Sequence, residues 1–111
     1  MRRAEIFMHD LPAGKLLENE DGYVFTYYEA YLKSIETPAV SLTLPKNDKP
    51  FESKVMFPFF DGLIPEGWLL DIAQKNWKIN QRDRMGLLLA CCHDCIGAVK
   101  VIEIKAEDEI K

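Results

Sequence analysis

The chain has 111 residues, 48% of them hydrophobic and twelve aromatic, which supplies one domain with a real core and excludes a disordered polymer. Its net charge of −4, with no Lys/Arg cluster beyond Arg2-Arg3, excludes a free-standing nucleic-acid binder. No apolar run approaches the ~20 residues needed to cross a bilayer, and Met1-Arg2-Arg3-Ala4-Glu5 leads into alternating residues without the apolar segment of a signal peptide.

Residues 4–9 alternate, with Ile6 and Met8 on one face and Glu5, Phe7 and His9 on the other, the period of a strand. Asp10-Leu11-Pro12-Ala13-Gly14 has turn chemistry, and Lys15 to Glu18 returns antiparallel. Asp21-Gly22 is a hairpin signal, after which Tyr23, Phe25 and Tyr27 alternate with Val24 and Thr26. Residues 4–27 therefore read as a three-stranded meander. Tyr28 to Lys33 suits a helical turn or two. Val40-Ser41-Leu42-Thr43-Leu44 alternates and stops at Pro45, as a strand would. Asn47-Asp48-Lys49-Pro50 reads as a surface loop.

The next stretch, Phe59-Phe60-Asp61-Gly62-Leu63-Ile64-Pro65-Glu66-Gly67-Trp68, suits neither an amphipathic helix nor an alternating strand. Gly62 and Gly67 permit backbone shapes or close approaches that other residues resist, and Pro65 fits a first helical turn. The pattern predicts an apolar segment ending near Gly62 and a helix from about Glu66 to Trp77. On that helix Leu69, Leu70, Ile72, Ala73 and Trp77 form an apolar arc, while Trp68 falls about 120° from its middle. Asn80-Gln81-Arg82-Asp83 reads as an N-cap with a carboxylate three positions on. Met85, Leu88, Leu89 and Cys92 follow at helical spacing over residues 81–91. Ala98 to Ile102 is a last strand joining the meander, and residues 103–111 form a charged tail expected to fray. The expected fold is α+β: one domain over 1–111, with an antiparallel sheet of about five strands and two or three helices largely on one face.

Trp68 is the leading candidate for a partner contact, because it lies off the buried arc beside Gly67 and exposed Trp is enriched at binding hot spots. Its plain alternative is a cover for the edge of the core. Ile64, across the Pro65 turn, would share the patch, with Asp61, Glu66 and Gly67 around it. Asp61 and Glu66 as an acid/base pair compete with simpler roles, a turn cap and a partner of the helix dipole. Phe59 and Phe60 read as core.

Cys91, Cys92 and Cys95 are odd in number and clustered, which argues against a secreted disulfide framework and for a reducing cytoplasm. With His93 and Asp94 they are all zinc-capable types, but there is no second pair and adjacent Cys residues on a helix point about 100° apart. A small Cys-centred metal or redox protein is the reading from a different class. The residues of a kinase site are missing: there is no phosphate-covering glycine loop, phosphate-binding Lys, catalytic Asp and metal-ligand set. No catalytic, cofactor or metal residue is assigned.

The decamer 59–68 resembles the signature of the first N-terminal subdomain of HipA-type serine/threonine kinases, the toxins of bacterial toxin–antitoxin modules. The opening strand and turn from Ile6 to Leu17, Ser41-Leu42-Thr43-Leu44-Pro45, and Asp94-Cys95-Ile96-Gly97-Ala98-Val99 fit the same pattern in order. The chain stops where the catalytic part of such a kinase would begin. That is similar to HipS-like proteins, in which this subdomain is a separate polypeptide acting on a shortened, HipT-like kinase. The resemblance implies an antitoxin-like subunit that binds and restrains a HipA-like kinase, with the motif around Trp68 facing the active-site side. It also implies a HipB-like helix-turn-helix protein in the same complex. A regulatory domain cut from a full-length HipA-type kinase is the alternative.

Overall fold

The computed structural model describes residues 2–64, 83–91 and 98–104. Five strands, β1 Arg3–Met8, β2 Leu11–Asn19, β3 Gly22–Tyr27, β4 Phe51–Ser53 and β5 Val99–Ile104, form one antiparallel sheet in the order β4-β3-β2-β1-β5. Three short helices are described, α1 Glu29–Lys33, α2 Pro58–Asp61 and α3 Arg84–Cys91. The expected α+β fold is the one observed.

The meander follows from period-two burial. Ala4, Ile6 and Met8 of β1 face inward, level with Leu16 and Gly14 of β2 on one side and Val101 and Val99 of β5 on the other. The first turn lies earlier than its Pro and Gly suggest. His9 and Asp10 both take positive φ, 50° and 66°, the handedness that lets a two-residue turn match strand twist. Leu11 and Pro12 then already belong to β2. Pro12 is tolerated because β3 pairs only from Gly14 onward, so no ladder bond toward β3 needs its missing N–H. Ala13 is the extra residue of a bulge opposite Ile6 and Phe7, and its carbonyl accepts from Tyr28 N at 2.9 Å, carrying the chain into α1. Gly14 is fixed by packing: a Cβ there would lie 2.5 Å from Thr26 O and 2.9 Å from the Phe25 ring.

The fourth strand is not the expected one. Residues 41–44 form a tight turn, closed by Leu44 N to Ser41 O at 3.1 Å, in place of the strand that Val40-Ser41-Leu42-Thr43-Leu44 suggested. The Tyr27 hydroxyl donates to Leu44 O and accepts from Val40 N at 3.0 Å, so Val40 and Leu44 are buried while Leu42 is fully exposed. Alternating apolar residues had mimicked a strand. Phe51–Ser53, pairing with β3, is the strand actually present. β5 runs through Glu103 and Ile104, where the fraying tail was expected to begin; residues 105–111 lie outside the described residues.

All three helices close on the inner face. Phe25 sits at the centre, 4.9 Å from Tyr27 and 5.5 Å from Phe60 of α2 between ring centroids, and Tyr31 of α1 stacks on Tyr27 at 6.0 Å. Met85, Leu87 and Leu88 of α3 are fully buried in the same cluster. Leu87 was not among the residues expected at helical spacing; α3 is buried over more of its circumference than one stripe. Truncating a fully enclosed ring such as Phe25 to Ala costs roughly 3–5 kcal/mol.

Candidate partner-binding site

Pro58 opens α2 at a position where its missing N–H leaves nothing unpaired. The helix turns the two expected core residues differently: Phe60 is fully enclosed and Phe59 packs half-buried against it, 5.3 Å between centroids. Gly62 has φ −69° and ψ −12°, ordinary helical values, so its expected backbone freedom is not used. Tight turns continue through Leu63 N to Phe60 O at 3.0 Å and Ile64 N to Asp61 O at 3.2 Å.

Two opposite charges at the start of α3 are gripped by reciprocal charges from elsewhere. Asp61, at the end of α2, accepts from Arg84 Nε. Arg2 binds Asp83 through Nη1 at 2.9 Å and Nη2 at 2.5 Å, and Glu18 of β2 through Nε and Nη2, both at 2.8 Å. Asp83 also caps α3, its Oδ1 accepting from Gly86 N at 3.1 Å. The cap is thus Asp83 itself, the residue expected to serve as the carboxylate after a cap at Asn80. Arg2 holds the Asp83 carboxyl below its ordinary value, chiefly by hydrogen bonding, and is itself held charged by Asp83 first and Glu18 second. Gly86 leaves room for this group, since a Cβ there would run into Asp83 and come within 2.9 Å of Arg2 Nη1.

Of the residues singled out in the sequence, Asp61 is half-exposed and ion-paired, a structural anchor in this arrangement. Ile64 is 5% exposed and part of the core. The turns after α2 carry it back toward Phe60. Pro65, Glu66, Gly67 and Trp68 lie outside the described residues, as do the helix expected from Glu66 to Trp77 and Cys92, His93, Asp94 and Cys95. Among the described residues no group of three or more His, Cys, Asp or Glu side chains is placed to hold a metal. Nor is any helix among them long and apolar enough to cross a membrane. The ion pairs of Arg2, Asp83 and Arg84 were missed in the sequence, because their partners lie 16 to 81 positions away and no local pattern marks the pairing.

Residues 4–102 match the HipA N-terminal domain family. The chain belongs to that family. A Haemophilus influenzae (strain ATCC 51907 / DSM 11121 / KW20 / Rd) protein called uncharacterized is 31% identical over 105 residues, 95% of this chain and 95% of that protein. Y4mE of Sinorhizobium fredii (strain NBRC 101917 / NGR234), which carries a provisional kinase name, is 29% identical over 90 residues. That match takes in 80% of this chain and only 21% of Y4mE. A solved structure described as the N-terminal domain of HipA toxin superposes with a TM-score of 0.77 at 28% identity, covering 96% of this chain and 95% of that one. The likeness is to the amino-terminal domain of HipA proteins, not to their catalytic part.

Proposed function

We propose that this chain is a non-enzymatic, antitoxin-like regulatory subunit that binds a HipA-type serine/threonine kinase in the cytoplasm and restrains it, as HipS-like proteins do. The observation that carries the reading is the match over residues 4–102 to the HipA N-terminal domain, which is not the catalytic part of HipA proteins. The contact is assigned to Trp68 with Pro65, Glu66 and Gly67, and to Asp61 as the anchor beside them. Asp61 and Asp83 flank residues 65–82 in sequence, and their ion pairs fix the points where that stretch leaves and rejoins the described fold. A HipB-like helix-turn-helix protein completes the complex in this reading.

A second reading is favoured by Y4mE, in which the matching region is about a fifth of a longer protein with a provisional kinase name: the chain is the regulatory amino-terminal domain of a full-length HipA-type kinase. Co-expression separates the possibilities. In the subunit reading, a HipA-type kinase of the same genome that lacks the matching domain arrests growth when produced alone, and producing this chain restores growth. Unrelieved arrest with the chain present and folded contradicts restraint.

A further inference from the structure

Residues 34–46 carry the chain from α1 toward β4 and are neither helix nor strand. Of their thirteen side chains only Val40 and Leu44 are buried, while Ile35 and Leu42 stand 96% and 100% exposed. Among the described residues their backbone–backbone hydrogen bonds are local, Ser34 N to Tyr31 O at 3.3 Å and Leu44 N to Ser41 O at 3.1 Å. So little packing gives a segment the low local stability of a unit that opens without the rest of the fold.

Side chains close it instead. At the far end the Tyr27 hydroxyl bridges Val40 N and Leu44 O, and the Tyr31 hydroxyl donates to Pro38 O. At the neck the Lys46 ammonium reaches back across the whole segment. It donates to Ser34 O at 2.6 Å, Thr37 O at 3.0 Å and Thr37 Oγ1 at 2.9 Å, so each of its three protons has an acceptor. Its nitrogen also stands 5.4 Å from the centre of the Tyr31 ring, within reach of a cation–π attraction. The Thr37 hydroxyl lies in turn 2.9 Å from Ser34 O and 3.1 Å from Tyr31 O, which ties the cage to the end of α1. Hydrogen bonds from an ionised donor are about twice as strong as neutral ones, so the charge is the strongest tie at the neck. We propose that residues 34–46 form a strap latched by the Lys46 ammonium, and that the strap opens as one unit when this charge is lost. Opening lifts Val40 and Leu44 out of the core and bares the stacked rings of Tyr27 and Tyr31. The device does not depend on the kinase reading.

Lys46→Met keeps an unbranched apolar stem and removes the charge. The bonds of Lys46 go to Ser34 and Thr37, so an effect at Val40 and Leu44 reports the unit rather than the contact. Native-state hydrogen exchange of the whole chain should speed about tenfold at the Val40 and Leu44 amides and keep its wild-type rate in β1. Thr37→Val removes an oxygen from the same cage and should speed the same two amides. The double variant should exceed the larger single effect by little, because both changes break one latch. Unchanged rates at Val40 and Leu44, or acceleration confined to Ser34, would overturn the strap and leave Lys46 a local tie at the end of α1. Equal acceleration in β1 would overturn it too, making Lys46 a support of the whole fold. If Lys46→Met does not fold, Thr37→Val decides by the same amides.

Discussion

Arg84 donates from its Nε to the Asp61 carboxylate, tying the first residue of α3 to the last residue of α2. Its neighbour Asp83 is held by Arg2, which Glu18 ties to β2. The signs alternate, so slipping α3 by one residue would set Arg84 against Arg2 in one direction or Asp83 against Asp61 in the other. The two pairs therefore specify register as well as adding stability.

Both members of the Asp61–Arg84 pair keep contact with water, with side chains 39% and 30% exposed, so screening limits the gain. Asp61→Ala and Arg84→Ala should each lower stability by about 0.5–1 kcal/mol, and the double variant by little more than the larger single loss. Urea unfolding of the four proteins gives the cycle. Fully additive losses would mean that the pair is not coupled.

A second expectation concerns acid. Arg2 depresses the Asp83 carboxyl in the folded chain, so the linked stability is present above the ordinary carboxylate range and is lost as pH falls through the lower folded value. Asn caps a helix about as well as Asp. Asp83→Asn should therefore keep the cap, lose stability at neutral pH, and show a shallower fall in thermal midpoint below about pH 4. Parallel midpoint curves for the two proteins would contradict the assignment.

The turn at residues 41–44 depends on one buried hydroxyl. Tyr27→Phe removes the acceptor for Val40 N–H and the donor to Leu44 O while keeping the ring stacked on Tyr31. The loss should be about 1–3 kcal/mol, the cost of leaving buried groups unpaired. Hydrogen exchange should speed at Val40 and Leu44 and remain slow in β1. Unchanged exchange at both amides would remove the hydroxyl from this role.

The meander and the last strand were legible because their period-two pattern is local: Ile6 and Met8, and Phe25 and Tyr27, declare one face each. Val40, Leu42 and Leu44 display the same pattern, yet a hydroxyl 13 residues from Val40 folds them into a turn. Phe51–Ser53 is a strand only because β3 offers it an edge, and three residues are too few to show a period. In the candidate site, Phe60 was legible as core, whereas α2 from Pro58 was not: four residues are too few to show a helical period, and only an apolar segment was expected there. The Arg2–Asp83 clamp spans 81 positions, and no window of the sequence contains both ends. Ile64 was placed by its position across the Pro65 turn, and no local pattern marked the burial it has in the core.

The central claim is that this chain binds a HipA-type kinase and does so through Trp68. Titration calorimetry of the wild-type chain and of Trp68→Ala against the domain-lacking kinase of the same genome, with thermal unfolding of both free chains, tests it most directly. The account predicts saturable binding by the wild type. For Trp68→Ala it predicts a loss of about 2 kcal/mol in affinity, roughly thirtyfold, with the free domain destabilised by no more than about 1 kcal/mol. No binding by the folded wild-type chain, or undiminished affinity in a folded Trp68→Ala chain, would contradict it.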